Sequence, residues 1–202
     1  MTAGRTLAVN YAAYQAGWLA AVGGAALGHG AAGAALAGGL TLMHLALARP
    51  RAPDAWLVAA ALAVGLGVES WQLSAGTYRL LAGEPPAGLP PLWLLALWAQ
   101  FATTFRFSLQ RVMARPWAAA LLGAVGGPLA FLAGERLGAV VLWAPVAGGL
   151  VRLVVGWGAA LCVLSVATRA VTRRWPVAGY GDGWAFTGRR RGRRPPSPPA
   201  AR

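Results

Sequence analysis

Polar side chains recur at four-residue intervals within an apolar stretch of the chain. Gln100, Thr104 and Ser108 follow this spacing, which places them along one face of a helix. If that face pointed to lipid, the amide and hydroxyl donors would have no hydrogen-bond partner. The spacing therefore predicts that the face points into the protein, where it can hold a polar ligand group such as a lipid head group.

An earlier apolar stretch carries a second polar face with the same spacing. Asn10, Tyr14 and Trp18 lie four residues apart, so a helix would place them on one side. We expect the two faces to meet across a buried polar cleft. Further candidates for the lining or the mouth of this cleft are Gln15, His44, Thr103, Arg106 and Arg111.

The cleft has a structural alternative, in which these amides and hydroxyls bond only to the backbones of neighbouring helices. His44 fits that alternative, because one histidine without further ligand residues nearby does not form a metal site. The sequence also contains no phosphate-binding glycine loop, no serine nucleophile elbow and no HExxH helix. We therefore predict no metal and no cofactor, and the sequence names neither an enzyme class nor a catalytic residue.

Ionisable side chains within apolar stretches form a second candidate site. A charge in hydrocarbon costs about 2.5–3.5 kcal/mol on insertion scales, so each one is a candidate for pairing or for function. We expect Glu69 to form a buried ion pair with Arg152 or Arg136, with Glu135 at a similar depth. The functional alternative is that Glu69 takes up and releases a proton.

The overall composition identifies the class of protein. Of 202 residues, 57% are hydrophobic and 11% are charged, and the mean hydropathy is +0.54. The charged fraction is less than half of the usual ~25%, which excludes an ordinary soluble domain, and the hydrophobicity excludes disorder over most of the chain. Cys162 is the single cysteine, so the chain has no intrachain disulfide. An integral membrane protein remains.

Six apolar stretches are bounded by polar residues, proline or glycine. They cover residues 7–28, 31–48, 55–75, 91–108, 117–134 and 147–168. Because about 20 apolar residues cross a bilayer as a helix, the sequence predicts an all-α polytopic membrane protein. We expect a compact bundle of about six transmembrane helices over residues 1–174, followed by a disordered, basic, proline-rich cytoplasmic tail at 175–202.

Glycines at four-residue spacing indicate how the helices pack. Small residues on one face let two helix backbones approach closely. The pairs are Gly24 with Gly28, Gly123 with Gly127, and Gly134 with Gly138. We expect contacts within the chain at these pairs, with a homodimer face as the alternative. Gly126, Gly127 and Pro128 predict a break or a close crossing in the fifth helix.

The charge distribution predicts the orientation. The net charge is +13, and all 18 basic residues are arginines. Fifteen of them fall at the ends or connections that are cytoplasmic if the N-terminus is inside, which satisfies the positive-inside rule. Both termini are therefore predicted to be cytoplasmic. We expect the basic tail to meet anionic lipid head groups and expect no nucleic-acid partner, since the arginines are not interleaved with aromatic residues.

Two segments of the chain resemble a known family. They are PLWLLALWAQFATTFRFSLQ at 91–110 and ARPWAAALLGAVGGPLAFLAGERLGAV at 114–140, with the PLW, FATT and GGPL elements in order; NYAAYQAGW resembles the opening helix. The chain is thereby similar to the bacterial inner-membrane family called domain of unknown function 2878, over most of 7–170. The family's FATT is followed by a leucine, a polar residue and His-Ser, whereas this chain has Phe105, Arg106, Phe107 and Ser108. A base at position 107 is therefore absent, and the family's acidic position, usually aspartate, corresponds to Glu69.

The resemblance implies a multi-pass protein of the bacterial inner membrane. It also implies a genomic setting shared with lipid-modification genes such as cyclopropane-fatty-acid synthases, and it supplies no mechanism. Our leading hypothesis is an accessory protein or enzyme in membrane-lipid modification or envelope stress, with membrane lipid and lipid-modifying enzymes as partners. The alternatives are a small proton-coupled transporter or channel that uses Glu69, and a structural partner of another membrane protein.

Overall fold

The computed structural model describes residues 3–48, 50–81, 89–142 and 146–176. These residues form seven helices and two short strands. The helices are α1 (Ala3–Ala26), α2 (Gly30–Leu47), α3 (Ala52–Ser74), α4 (Leu92–Ala102), α5 (Gln110–Met113), α6 (Pro116–Leu137) and α7 (Val146–Arg174), and the strands are β1 (Tyr78–Leu80) and β2 (Val140–Leu142). The fold is all-α apart from the strand pair. The predicted disordered tail lies outside the described residues from position 177 onward.

Four helices are long and apolar enough to cross a membrane, namely α2, α3, α6 and α7. α1 has 24 residues, but it carries polar side chains such as Asn10 and Gln15. α4 has 11 residues, which is shorter than the ~20 that a straight span requires. The helices therefore indicate a membrane protein with at least some spanning segments, and the six-span bundle stays a prediction.

The short helix α4 is the centre of the bundle. It packs against α1, α2 and α3, while α1 packs against α2, α3 against α7, and α7 against α6. α4 is strongly apolar in composition. Its residues Trp93, Trp98 and Ala102 are almost completely buried. Trp93 and Trp98 therefore belong to the core and not to an interfacial belt, unlike Trp56 and Trp117. The latter two are 65% and 66% exposed.

Contacts between distant residues define the two ends of the bundle. Asn10 near the start of α1 bonds to Ser108, and Arg106 bonds to Asp54 at the start of α3 and to Trp175 after α7. We call this the Asp54 end. The strands lie at the opposite end, here called the strand end. The start of α1 and the end of α7 therefore lie at the same end.

α4 ends at Ala102, which corrects the predicted helical stretch 91–108. Residues 103–109 form consecutive turns instead. The Thr103 hydroxyl donates to the Gln100 carbonyl at 2.7 Å and the Thr104 hydroxyl to the Phe101 carbonyl at 2.6 Å. Side chains that bond to the preceding turn compete with the helical backbone pattern, which favours an end at this point.

The strand pair was not predicted. β1 and β2 are antiparallel, with Tyr78 opposite Leu142 and Leu80 opposite Val140. β1 follows α3 and β2 follows α6, so the strand pair connects the C-terminal ends of these two helices. Three-residue strands carry too little periodicity to be seen against the helical pattern.

The predicted glycine contacts are confirmed in part, because Gly24, Gly123 and Gly127 lie at close helix crossings. Gly28 and Gly138 do not, since a Cβ on either would meet no atom within 4 Å. In α1, a Cβ on Gly24 would lie 3.1 Å from the Gly33 Cα of α2. In α6, Gly123 and Gly127 both face Trp157 of α7, where a methyl group would overlap the Trp157 backbone or ring. Gly138 ends α6 with a left-handed backbone, φ +86°. α6 continues through Pro128, so the helix has no break there, and of the two glycines before Pro128 it is Gly127 that lies at the close crossing.

Candidate functional site: an aromatic cavity

A cavity of about 220 Å³ lies between the two halves of the bundle. It is bordered by α1 on one side, by α6 and α7 on the other, and by α4 at the back. Eight aromatic side chains line it: Tyr11, Tyr14, Trp18, Trp93, Trp98, Phe101, Phe131 and Trp157. The remaining described lining is mostly aliphatic side chains and glycines, with Thr104 as a polar member.

The cavity is elongated along the helix axes. Its lining on α1 extends from Tyr11 to Val22 and on α6 from Leu122 to Gly134. At 1.5 Å per residue, these stretches span about 16 to 18 Å. α1 and α6 touch over a short stretch only, where Val22 approaches Gly134. The two helices are therefore separated along most of the length of the cavity.

The back wall of the cavity is a stacked pair of indole rings. Trp98 of α4 and Trp157 of α7 have ring centroids 4.4 Å apart at an interplanar angle of 24°. Phe131 of α6 meets the Trp157 ring edge-on at 6.3 Å. Aromatic pairs in such geometries contribute about 0.5–1.5 kcal/mol beyond their buried area. The back wall is therefore a well-packed apolar surface that an apolar ligand can contact.

Glu69 of α3 holds this wall from behind. Its Oε1 accepts a hydrogen bond from Trp98 Nε1 at 3.0 Å, and its Oε2 accepts one from the Tyr78 hydroxyl at 2.9 Å. Tyr78 packs against Phe131, with centroids 4.6 Å apart. One fully buried carboxylate thus positions two of the rings that line the cavity, Trp98 directly and Phe131 through Tyr78.

The Tyr78 phenol keeps its proton in this arrangement. Burial raises the pKa of Tyr78 well above its usual value, and the neighbouring Glu69 carboxylate raises it further. The hydroxyl therefore acts as a donor to Glu69 over the physiological pH range.

The expected ion pair between Glu69 and an arginine is not present, because both carboxylate oxygens have other partners. Arg152 donates from Nε to the Thr77 hydroxyl at 2.9 Å, and Arg136 is exposed. Glu135 accepts a hydrogen bond from the backbone N–H of Leu142, the last residue of β2, at 2.8 Å. The four residues lie toward the same end of the bundle, but they do not form one cluster.

Asn10 joins α1 to the turn that follows α4. Its Nδ2 donates to the Thr103 carbonyl at 3.1 Å, and its Oδ1 accepts from the Ser108 hydroxyl at 2.7 Å and from the Ser108 N–H at 3.3 Å. Irregular backbone inside a membrane protein must be satisfied by protein groups. Asn10 supplies these bonds where the helical pattern stops.

The other members of the polar faces divide into three groups. Gln100 is buried against Gly17 and donates to the Ala13 carbonyl at 3.0 Å, so it joins α1 to α4. Tyr14, Trp18 and Thr104 line the aromatic cavity. Gln15 and Arg111 form the third group, whose side chains are exposed. The structure therefore has a packed polar seam between α1 and α4, with an apolar cavity beside it.

A buried ion pair that the sequence did not point to lies at the Asp54 end. Arg106 Nη1 lies 2.8 Å from Asp54 Oδ2, and the two side chains are 3% and 2% exposed. Arg106 also donates from Nη2 to the Trp175 carbonyl at 2.9 Å. His44 Nε2 is 3.8 Å from Asp54 Oδ1, and its ring meets Phe107 edge-on at 5.0 Å. The cluster fastens the turn after α4 to α3 and to the end of α7.

Comparison with protein families gives a match over most of the chain. Residues 7–163 match the family described as "Protein of unknown function (DUF2878)". The chain belongs to this family. Comparisons with curated proteins and with solved structures gave no match.

The family match covers the whole aromatic cavity, from Tyr11 to Leu161. The spacing of the polar residues predicts a polar cleft, and it does not predict this apolar cavity. A signal for it is present: Tyr11, Tyr14 and Trp18 recur at three- and four-residue spacing on one face of α1. Aromatic stripes of this kind are also typical of ordinary helix packing, so the spacing alone does not indicate a cavity.

Proposed function

We propose that this protein is an integral membrane protein that binds a membrane lipid by one acyl chain, and that it serves as an accessory protein or enzyme in lipid modification. The observation that carries the proposal is the aromatic cavity, which is apolar and elongated and lies between α1 and α6, two helices that approach each other over a short stretch only. A gap between two helices on the side of a bundle would give a lipid direct access from the bilayer.

The size of the cavity suits a single chain. Apolar cavities of about 150 Å³ in soluble proteins bind benzene, whereas drug-sized ligands occupy about 300–1,000 Å³. A volume of about 220 Å³ falls between these values. Its length of about 16 Å is close to half of the ~30 Å hydrocarbon core, which is the depth of one leaflet. The volume and the length together suit part of one acyl chain lying parallel to the helices.

The chemistry of the lining favours an accessory role over catalysis. Among the described residues that border the cavity, none is Asp, Glu, His or Cys. Carboxylate, imidazole and thiol groups, which most often transfer protons or attack a substrate, are thus missing from the described lining, where the hydroxyl groups belong to Tyr11, Tyr14 and Thr104. A protein that holds or presents a lipid to a lipid-modifying enzyme needs only the apolar surface.

We further propose that α1 and the α4 segment complete a six-span arrangement in a bacterial inner membrane, with both termini cytoplasmic. The helices alternate in direction between the Asp54 end and the strand end. Arg5, Arg51, Arg111 and Arg115 are exposed at the Asp54 end, and the arginine excess supports placing that end in the cytoplasm.

Cavity filling tests the proposal. Gly126 lines the cavity, and a Cβ there would meet only Leu122 of the same helix, at 3.9 Å. Gly126→Leu should therefore fill the cavity without disrupting the fold. Gly39→Leu is the matched control, because Gly39 of α2 has no atom within 4 Å of such a Cβ. Lipid extracted from protein purified in mild detergent is quantified by mass spectrometry.

We expect about one retained phospholipid for the unsubstituted protein and for Gly39→Leu, and a large loss for Gly126→Leu at an unchanged melting temperature. Equal lipid content in all three would show that the cavity does not hold a chain. Lipid analysis of a deletion strain then tests the role in modification, since a missing lipid species would identify the product.

Proton-coupled transport through Glu69 has weaker support. Both of its carboxylate oxygens are occupied by Tyr78 and Trp98, and the Trp98 ring separates Glu69 from the cavity. A carrier carboxylate needs a path to exchange its proton with water, and Glu69 is fully buried. A structural role in a homodimer or in a complex with another membrane protein stays a prediction.

A further inference from the structure

We propose that the outer surface of the protein binds a phospholipid, with one acyl chain in the groove between α3 and α7 and with the phosphate on Arg152. The site is separate from the aromatic cavity, and the proposal does not depend on a ligand there. It follows from an arginine without a counter-ion and from an apolar groove on the same face of its helix.

Arg152 is the one charged residue between positions 146 and 168. Its side chain is partly buried, and its Nε donates to the hydroxyl of Thr77 at 2.9 Å. Thr77 is fully buried, so this bond fixes the guanidinium group where α7 meets the connection after α3. A cation within a membrane segment requires a compensating partner.

The described part of the chain supplies no counter-ion for Arg152. Both ion pairs between described residues involve Asp54, which lies at the other end of the bundle. Glu69 and Glu135 lie toward the strand end, and they accept hydrogen bonds from other groups. The Thr77 hydroxyl is neutral, so the charge of the guanidinium is not compensated by these residues.

An apolar groove with a volume of about 400 Å³ lies between α3 and α7. Its lining on α3 extends from Val64 to Trp71 and on α7 from Val155 to Val163, and every described side chain in the lining is apolar. Trp71, Val155 and Val163 are 44%, 58% and 57% exposed. The groove therefore lies on the outer surface of the bundle, which lipid surrounds in a membrane.

Contacts place Arg152 next to the strand end of this groove. The Gln72 amide donates to the Arg152 carbonyl at 3.1 Å, and a Cβ on Gly156 of the groove would lie 2.9 Å from the same amide nitrogen. Arg152, Val155 and Gly156 also share one face of α7, because they are three and four residues apart. From Arg152 to Val163 the helix rises about 16 Å, which is close to the depth of one leaflet.

The charge and the groove together favour a phospholipid as the occupant. A guanidinium group binds phosphate oxygens through paired hydrogen bonds, and the Nη groups of Arg152 supply the donors. An acyl chain attached to that phosphate can lie along the groove toward the middle of the bilayer. A lipid without phosphate would leave the charge uncompensated, and free phosphate would leave the groove unfilled.

Native mass spectrometry of the full chain in mild detergent tests the proposal. Every protein carries Gly126→Leu, which fills the aromatic cavity, so that a lipid bound there does not contribute. The proteins are titrated with dioleoyl phosphatidylglycerol, with dioleoylglycerol, which has the same chains without phosphate, and with inorganic phosphate.

Two variants alter the site, and each has a matched control. Gly67→Leu fills the groove, because Gly67 lines it and a Cβ there would meet no atom within 4 Å. Its control is Gly39→Leu on α2, where a Cβ also meets no atom. Arg152→Gln removes the charge, and its control is Arg136→Gln, at an exposed arginine of the strand end.

We expect one bound phosphatidylglycerol, with an affinity roughly 5-fold or more above that for dioleoylglycerol, as one arginine near a membrane surface provides. Arg152→Gln should abolish this preference and Gly67→Leu should abolish binding, whereas Gly39→Leu and Arg136→Gln should retain both. The comparison of the two lipids tests the phosphate contact even if Arg152→Gln does not fold.

Three results would overturn the proposal. The first is equal affinity for the two lipids, and the second is phosphatidylglycerol binding that survives Gly67→Leu or that inorganic phosphate fully displaces. The third is a dimer that Gly67→Leu dissociates, which would show that the groove holds a second copy of the chain. Because Gly126→Leu is present throughout, none of these results decides whether the aromatic cavity binds a lipid.

Discussion

Glu69 Oε1 lies 3.0 Å from Trp98 Nε1, so that a buried carboxylate in one helix fixes the ring that forms the back of the cavity. The second oxygen is held by Tyr78, which is also a donor. An amide at position 69 could accept only one of these bonds and would turn its own NH₂ group toward a donor. The pair therefore explains why a carboxylate stands inside an apolar helix.

We predict that Trp98→Phe and Glu69→Gln each lower the free energy of unfolding by about 1–3 kcal/mol, since each leaves a buried donor or acceptor unsatisfied. The double variant should cost less than the sum, because the bond is lost only once. Melting temperatures in detergent measure all three. Trp56→Phe, at an exposed indole, is the control and should change little; additive costs would show that the two side chains are not coupled.

A second prediction concerns the buried pair of Arg106 and Asp54. Arg106→Gln should reduce stability by about 3–5 kcal/mol, because Asp54 would stay buried without a cation. Asp54→Asn/Arg106→Gln should recover part of the loss, since neither charge is then buried. Thermal unfolding and folded yield measure the effect, with Arg173→Gln on the exposed end of α7 as the control. A loss for the double variant as large as for Arg106→Gln would contradict this account.

The helices could be predicted from the sequence because each long apolar stretch has one stable form in lipid, with all of its backbone groups paired internally. The stretches 31–48 and 55–75 correspond closely to α2 (Gly30–Leu47) and α3 (Ala52–Ser74). The stretch 91–108 does not correspond to one helix. Hydropathy gives no sign that the Thr103 and Thr104 hydroxyls donate to carbonyls of the preceding turn. Asn10, 93 residues away from Thr103 in the chain, then satisfies the irregular backbone.

The partners of buried charges were harder to predict, since they depend on which side chains the fold brings together. The sequence predicts an arginine partner for Glu69 because opposite charges attract, but neutral hydrogen-bond donors also satisfy a carboxylate. Trp98 is 29 residues from Glu69. Its neighbours in the sequence are apolar, as they also are around a tryptophan at a membrane interface, so the sequence gives no sign of a carboxylate partner. Asp54 and Arg106 are 52 residues apart, and nothing in the spacing of either residue indicates the pair.

A third prediction contrasts two adjacent glycines of α6. Gly127→Ala should destabilise the protein by about 1–3 kcal/mol, because its methyl group would overlap the Trp157 ring and force α6 and α7 apart. Gly126→Ala should be neutral or slightly stabilising, since a Cβ there has free space and alanine has the higher helix propensity. Melting temperatures of the two variants provide the comparison. Equal melting temperatures would mean that the crossing at Gly127 is not tight.

The last prediction concerns the orientation in the membrane. The contacts of Asn10 with Ser108 and of Arg106 with Trp175 put the start of α1 and the end of α7 at one end of the bundle, while Arg79 lies in β1 at the other. Since arginines are retained in the cytoplasm, a reporter fused after Arg202 should be active as a cytoplasmic enzyme, and one fused after Arg79 as a periplasmic enzyme. Paired phosphatase and β-galactosidase fusions measure both sides. If both fusions report the same side, an even number of spans separates Arg79 from Arg202, and the six-span arrangement, which places α4, α6 and α7 between them, is wrong.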